Sequence, residues 1–98
     1  MFVNIIDSYR YVVAICDKEL IGKTFEEGEY QLDIKENFYK GEIKSEAEVI
    51  KIIKDMSAED ATFNIVGERS VQTAIKSRII SENSVLKIQG IPYAMVLL

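Results

Sequence analysis

Four groups of residues in this 98-residue sequence have types and spacing suited to chemistry. Cys16-Asp17-Lys18 sets a thiol beside a carboxylate and an ammonium, and a neighbouring lysine lowers a thiol pKa. The cysteine closes an apolar run, however, and the chain contains no histidine to act as a base. A buried structural cysteine is therefore the better reading. Glu26, Glu27 and Glu29 cluster around Gly28, with Asp17 and Glu19 upstream. A divalent cation needs several such oxygens to converge, and no calcium-loop spacing is present, so these read as solvated acidic turns. Phe38 and Tyr39, with Tyr9, Tyr11, Tyr30 and Tyr93, are possible stacking platforms for single-stranded RNA, with Lys40 and Lys44 close by. No ribonucleoprotein motif accompanies them, and core packing is the commoner fate of such rings.

The fourth group, residues 62–75, organises the rest. Phe63, Ile65 and Val66 form a short apolar run, Gly67 allows a sharp turn, and Val71, Ala74 and Ile75 recur at helical spacing. This pattern predicts a strand feeding a helix through glycine. Such a junction can present backbone N–H groups to an anion, but Glu68 at the helix start opposes a phosphate there. The glycines and lysine of a P-loop are also missing. Asn64 is expected either on the strand face away from the core or buried with its amide satisfied by backbone.

The flanking segments supply the remaining elements. Residues 2–6 and 11–16 are rich in β-branched and aromatic residues and are expected to pair antiparallel around a turn at residues 7–10. Residues 17–25 read as a turn, because Gly22 and Gly28 bracket too little periodic sequence. Residues 29–34 alternate, with Tyr30, Leu32 and Ile34 on one side, as in a half-buried strand. The Phe38-Tyr39 pair is expected to tuck under a loop against the core. Ser45 with Glu48 has capping-box spacing and opens the clearest helix, whose inner face is Val49, Ile52, Ile53 and Met56. A second helix ends near residues 77–80, and strands are expected at 85–88 and 93–98. This order predicts one α+β domain over residues 1–98: a two-layer sandwich with a mostly antiparallel or mixed sheet and two helices on one face.

Composition narrows the function. With 48% hydrophobic and 29% charged residues, one proline and five glycines, the chain has the make-up of an ordered globular domain. A lone cysteine permits no internal disulfide, no apolar run is long enough to span a bilayer, and no signal-peptide pattern opens the chain, so a cytoplasmic protein without membrane contact is expected. No cofactor, metal site or catalytic set is expected. The net charge of −4 argues against binding nucleic acid through the whole surface. The charge is uneven: residues 1–60 carry 14 acidic and 8 basic side chains, and residues 61–98 carry 2 acidic and 4 basic. Arg69, Lys76, Arg78 and Lys87 make the last part mildly positive, either as a solvated surface or as a face for phosphate or RNA.

The segments Cys16-Asp17-Lys18-Glu19-Leu20-Ile21-Gly22-Lys23, Phe38-Tyr39-Lys40-Gly41, Asn64-Ile65-Val66-Gly67 and Gly90-Ile91-Pro92-Tyr93-Ala94, taken in order, resemble the small archaeal family classed as domain of unknown function 424. In that family the position after Pro92 is commonly histidine, and Tyr93 here implies no imidazole-dependent role. The resemblance implies an α+β protein linked to the translation machinery. It marks Asp17, Gly22, Tyr39, Gly41, Asn64 and Gly67 as a shared binding surface. Two functions follow as expectations. One is a non-catalytic accessory or adaptor that binds RNA or a protein of translation. The other is a small enzyme or ligand-binding domain with a pocket at the Asn64 to Gly67 junction, which requires Asp17 and Asn64 to converge.

Overall fold

A computed structural model describes residues 1–97. Strands β1 (Phe2–Ile6) and β2 (Val12–Cys16) form the expected hairpin, with Phe2 opposite Cys16 and Ile6 opposite Val12. Residues 17–25, read from sequence as a turn, do more than turn. A 3₁₀ turn at Lys18–Leu20 leads into β3 (Thr24–Glu27), which pairs antiparallel with β4 (Tyr30–Asp33) around Gly28. Strand β3 is short and polar, so it carried no apolar alternation to betray it. The aromatic pair lies in a one-turn helix α1 (Glu36–Tyr39) in place of a loop, followed by β5 (Glu42–Ile43).

Helix α2 (Glu46–Ala58) begins where its capping box predicts. Ser45 Oγ accepts from the Glu48 N–H at 3.2 Å, and the Glu48 carboxylate accepts from the Ser45 N–H at 2.9 Å. Strand β6 (Thr62–Val66) passes through Gly67 into α3 (Glu68–Lys76). A 3₁₀ turn at Glu82–Ser84 then leads to β7 (Leu86–Ile88) and β8 (Ile91–Val96). Strand β8 starts before Tyr93, because the chain reverses at Gln89 and Gly90, both at positive φ, and Pro92 lies inside the strand. The expected last residue of that strand, Leu98, lies outside the described residues.

Six strands make one mixed sheet in the order β5-β1-β2-β6-β8-β7, in which only β2 and β6 run parallel. Strand alternation sorts the core into two clusters. Val3, Val13, Ile15, Phe63, Ile65 and Ala94 point to the side covered by α2 and α3, where Val49, Ile53, Val71 and Ala74 meet them. This is the α+β layering the periodicity predicts, with α2 and α3 on one face. Ala14, Cys16 and Val66 point the other way and pack against Leu20, Leu32, Ile34 and Tyr39. The β3-β4 hairpin and α1 thus cover part of the second face, which explains why Leu32 and Ile34 are buried although their hairpin lies outside the main sheet.

Backbone approach is tightest at Gly41. A Cβ there would overlap the Val3 carbonyl and lie 2.9 Å from the Asn4 Cα, so only glycine lets the chain cross β1 on its way from α1 to β5. Replacing it should cost about 1–3 kcal/mol through overpacking, whereas Gly22→Ala, at positive φ but with open space around it, should cost about 1 kcal/mol of backbone strain. Urea unfolding midpoints of the two variants measure the difference.

Candidate functional site

The β6–α3 junction lacks a cap of its own, because Gly67 precedes α3 with φ 107° and has no side chain. The first N–H groups of a helix need acceptors from elsewhere. Asp17, the residue after β2, provides them from 52 and 53 positions upstream of the groups it caps. Its Oδ2 accepts from the Arg69 N–H at 3.0 Å, and its Oδ1 accepts from the Ser70 N–H at 2.8 Å and the Ser70 hydroxyl at 2.7 Å. The parallel β2–β6 pairing, extended by the Asp17 N–H donating to the Val66 carbonyl at 3.0 Å, delivers the carboxylate to the helix end. The Gly67 N–H donates to the Pro92 carbonyl at 2.8 Å and ties in β8. Asp17 is 3% exposed and Ser70 fully buried. A Cβ on Gly67 would overlap the Asp17 carboxylate, so the glycine makes room for the cap as well as turning the chain.

This arrangement overturns the anion-cradle reading of the junction. The N–H groups that would hold a phosphate already hold a carboxylate, and a second anion would meet the buried charge of Asp17. The junction pocket fails for a further reason. Asn64 is directly opposite Ala14 and lies on the strand face of Val66, toward the hairpin, whereas Asp17 turns to the helix side. The two residues do not converge.

The other marked residues are also dispersed. Tyr39 is buried in the second-face cluster, edge-on to Phe38 with ring centroids 4.9 Å apart, so that pair is core and not a base-stacking platform. Gly41 crosses β1 and Gly22 sits in an exposed turn, its N–H donating to the Ile34 carbonyl at 2.8 Å. The six residues therefore form no single surface. Ser70 was missed by sequence reasoning. The usable signal was a glycine at the N-cap of a strongly amphipathic helix, which implies a cap supplied by another segment.

Cys16 is fully buried, and its Sγ–H donates to the Asp17 carbonyl at 3.1 Å. Burial, then the charges of Asp17 and Glu19, push the thiol up to about 12. The thiolate needed for attack is thus suppressed, opposite to the effect expected of Lys18. Burial, with Cys16 adding to it, likewise pushes the Tyr39 hydroxyl up to about 12. Among the described residues no group of three or more acidic or thiol side chains converges for a metal ion. The acidic residues of the β3-β4 hairpin make structural bonds instead: Glu27 accepts from the Gln89 N–H at 2.8 Å and Glu26 from the Gln31 amide at 3.1 Å.

Several surface concavities remain among the described residues, and two stand out by their lining. One, of about 230 Å³, lies against α3 between Val71, Ile75, Val85 and Pro92, with Glu68 and Lys87 at its rim. The other, of about 650 Å³, runs between the C-terminal halves of α2 and α3. Lys54, Lys76 and Arg78 line it with Ser57 and Ser77, over a floor that includes Ile53, Ile79 and Val96. The basic residues of the last part of the chain therefore do not share one face, since Lys87 lies at the first concavity and Arg69 beside Glu46 and Glu68. Lys54, from the acidic part, joins the second.

Removing the cap should be costly. Asp17→Ala leaves two helix N–H groups and the Ser70 hydroxyl without their acceptor and should lose about 2–4 kcal/mol in urea unfolding. Alkaline pH tests the two buried acids. Both are held neutral in the fold, so their contribution is intact below their ordinary values of 9.0 and 10.0 and is lost as the pH rises toward about 12. Stability should fall by about 1.4 kcal/mol per pH unit for each group once its unfolded value is passed. Tyr39→Phe should reduce that slope in urea midpoints measured between pH 9 and 12.

A crystal structure of an uncharacterized conserved protein from Methanopyrus kandleri shares the fold, with a TM-score of 0.87 and 23% identity over 97% of this chain and 88% of that one. No curated protein matches the chain. The model of a protein family of unknown function, DUF424, matches residues 6–98. With the match running from the end of β1 through the Asp17–Ser70 cap to the last strand, the chain belongs to the DUF424 family.

Proposed function

We propose that the protein is a non-catalytic accessory module that binds RNA of the translation machinery through the groove between α2 and α3. The observation that carries this reading is the lining of that groove. Lys54, Lys76 and Arg78 meet there with two serine hydroxyls and no carboxylate, in a chain whose net charge is −4. A local cluster of cations on an acidic protein favours phosphate at one place and repels it elsewhere. Glu46 engages Lys76 at 2.6 Å, so a phosphate there competes with an existing ion pair. Lys54 and Arg78 form no ion pair among the described residues. Arg78 is held at φ 62° just after α3, with its N–H donating to the Ile75 carbonyl at 2.9 Å, which fixes the base of its side chain at the groove.

A binding role also accounts for the state of the reactive residues. The thiol is suppressed, the Asp17 carboxylate is consumed by the helix cap, and the sequence has no histidine. An enzyme built on the junction would have none of these groups available.

Titration of a fluorescein-labelled single-stranded RNA, followed by anisotropy at increasing salt, tests the proposal. Contact with three phosphates gives a slope of log K against log salt of about −2 for a single strand. The combined Lys54→Ala, Lys76→Ala and Arg78→Ala variant should weaken binding at least tenfold and bring the slope close to zero. No binding to wild type at low salt, or equal binding by the variant, would reject the groove. Affinity purification from cell extract with and without ribonuclease then tests the link to translation, which predicts ribonuclease-sensitive recovery of ribosomal subunits or initiation factors.

A further inference from the structure

The cleft on the outer side of α3 combines an apolar floor with charges in a fixed order. Glu68 and Ile75 line it from the ends of one stripe along α3, with Val71 between them, and the step from residue 68 to residue 75 sets those ends about 10 Å apart. The opposite wall comes from β7 and the turn before it. Lys87 pairs with Pro92, and the Pro92 carbonyl accepts from the Gly67 N–H at 2.8 Å, so Lys87 sits at the Glu68 end of the cleft. Glu82 lies in the 3₁₀ turn between α3 and β7 and borders the cleft at the Ile75 end. One end therefore carries a carboxylate and an ammonium, and the other carries a carboxylate.

The fold makes no use of these three charges. Glu68, Glu82 and Lys87 are exposed, and their side chains form no ion pair among the described residues. Between the two ends, Val71, Ile75, Val85 and Pro92 make an uncharged floor. A volume of about 230 Å³ lies below that of pockets for drug-sized ligands, so the occupant is smaller than those. Its chemistry follows from the lining. It carries a cation for Glu82, an aliphatic stem for the floor, and at its other end a cation for Glu68 next to an anion for Lys87.

We infer that this cleft binds a free basic amino acid of the lysine type. The α-ammonium meets Glu68, the α-carboxylate meets Lys87, the flexible carbon stem lies along the floor, and the side-chain ammonium reaches Glu82. Two positive charges and one negative on the ligand answer two negative and one positive in the cleft. An aliphatic amino acid leaves Glu82 unanswered, and a lysine inside a peptide chain lacks both head charges. An anion such as phosphate meets two carboxylates, which separates this site from the groove between α2 and α3. All three ion pairs form at the exposed rim, where each is worth little, so the dissociation constant should be about 1 mM.

Titration of the isotope-labelled full chain with L-lysine at constant ionic strength, followed in amide NMR spectra, provides the test. Saturable shifts are expected at Val71, Ile75, Val85 and Lys87. L-norleucine, which lacks the distal cation, should bind about threefold more weakly, and Nα-acetyl-lysine methylamide, which lacks both head charges, about tenfold more weakly. Glu82→Gln should bring the affinity for lysine down to that for norleucine and leave norleucine unchanged, while Lys87→Gln should weaken both by the same factor. Both side chains are exposed, so each variant should keep the dispersed spectrum of wild type. Wild type that shows no saturation with lysine at about 20 mM, equal binding of the blocked lysine, which would assign the cleft to a peptide side chain, or a folded Glu82→Gln that still prefers lysine to norleucine would each overturn the inference.

Discussion

The buried carboxylate of Asp17 is the constraint on which the rest of this structure depends. Helix α3 starts at a glycine that contributes no cap, and its start is packed where water does not reach Ser70. Without an acceptor, two backbone N–H groups and a hydroxyl would be left short in the interior. Asp17 meets all three, but only if β2 and β6 run side by side in parallel and in the observed register. A shift by one residue would turn the carboxylate to the other face. The cap therefore fixes the one parallel pairing in the sheet, and with it the α2 crossover between β2 and β6.

The same constraint decides what the protein has left for function. In open sheets, the carboxyl ends of parallel strands are the usual place for a ligand. Here that place is filled by the protein's own anion, and the neighbouring thiol is pushed out of its reactive range by burial and by that anion. What remains for partners is surface: the cationic groove between α2 and α3 and the small cleft on the outer side of α3. These features suit recognition. The likeness to the Methanopyrus kandleri protein, at 23% identity, speaks to the fold alone, so the functional reading rests on the groove.

Covering both sides of the sheet also explains how a short chain buries so many aliphatic residues. The helices take one face and the β3-β4 hairpin with α1 takes part of the other. The hairpin is tied to the β7–β8 turn through Gln89, and this closes one sheet edge. The opposite edge stays open because Gly41 takes the chain over β1 instead of alongside it.

Local rules were enough to read much of this from the sequence. Ser45 and Glu48 marked the start of α2 because a capping box is contained in four residues, and the short apolar run of Phe63, Ile65 and Val66 marked β6 because that strand lies between the two core clusters. The glycine turn into α3 and the hairpin of β1 and β2 were legible for the same reason, and the four ordered segments carried the family. Strand β3 was not legible, since its polar residues earn their strand state from pairing with β4. Nor could sequence spacing show that Asp17 caps a helix more than 50 residues away, that Asn64 faces away from it, or that Lys54 joins Lys76 and Arg78. Those outcomes depend on strand order and on which way alternate side chains point. Contacts within a turn of helix or a hairpin are set by neighbours in the chain, and the assembly of distant charges into a cap or a groove is set only when the sheet closes.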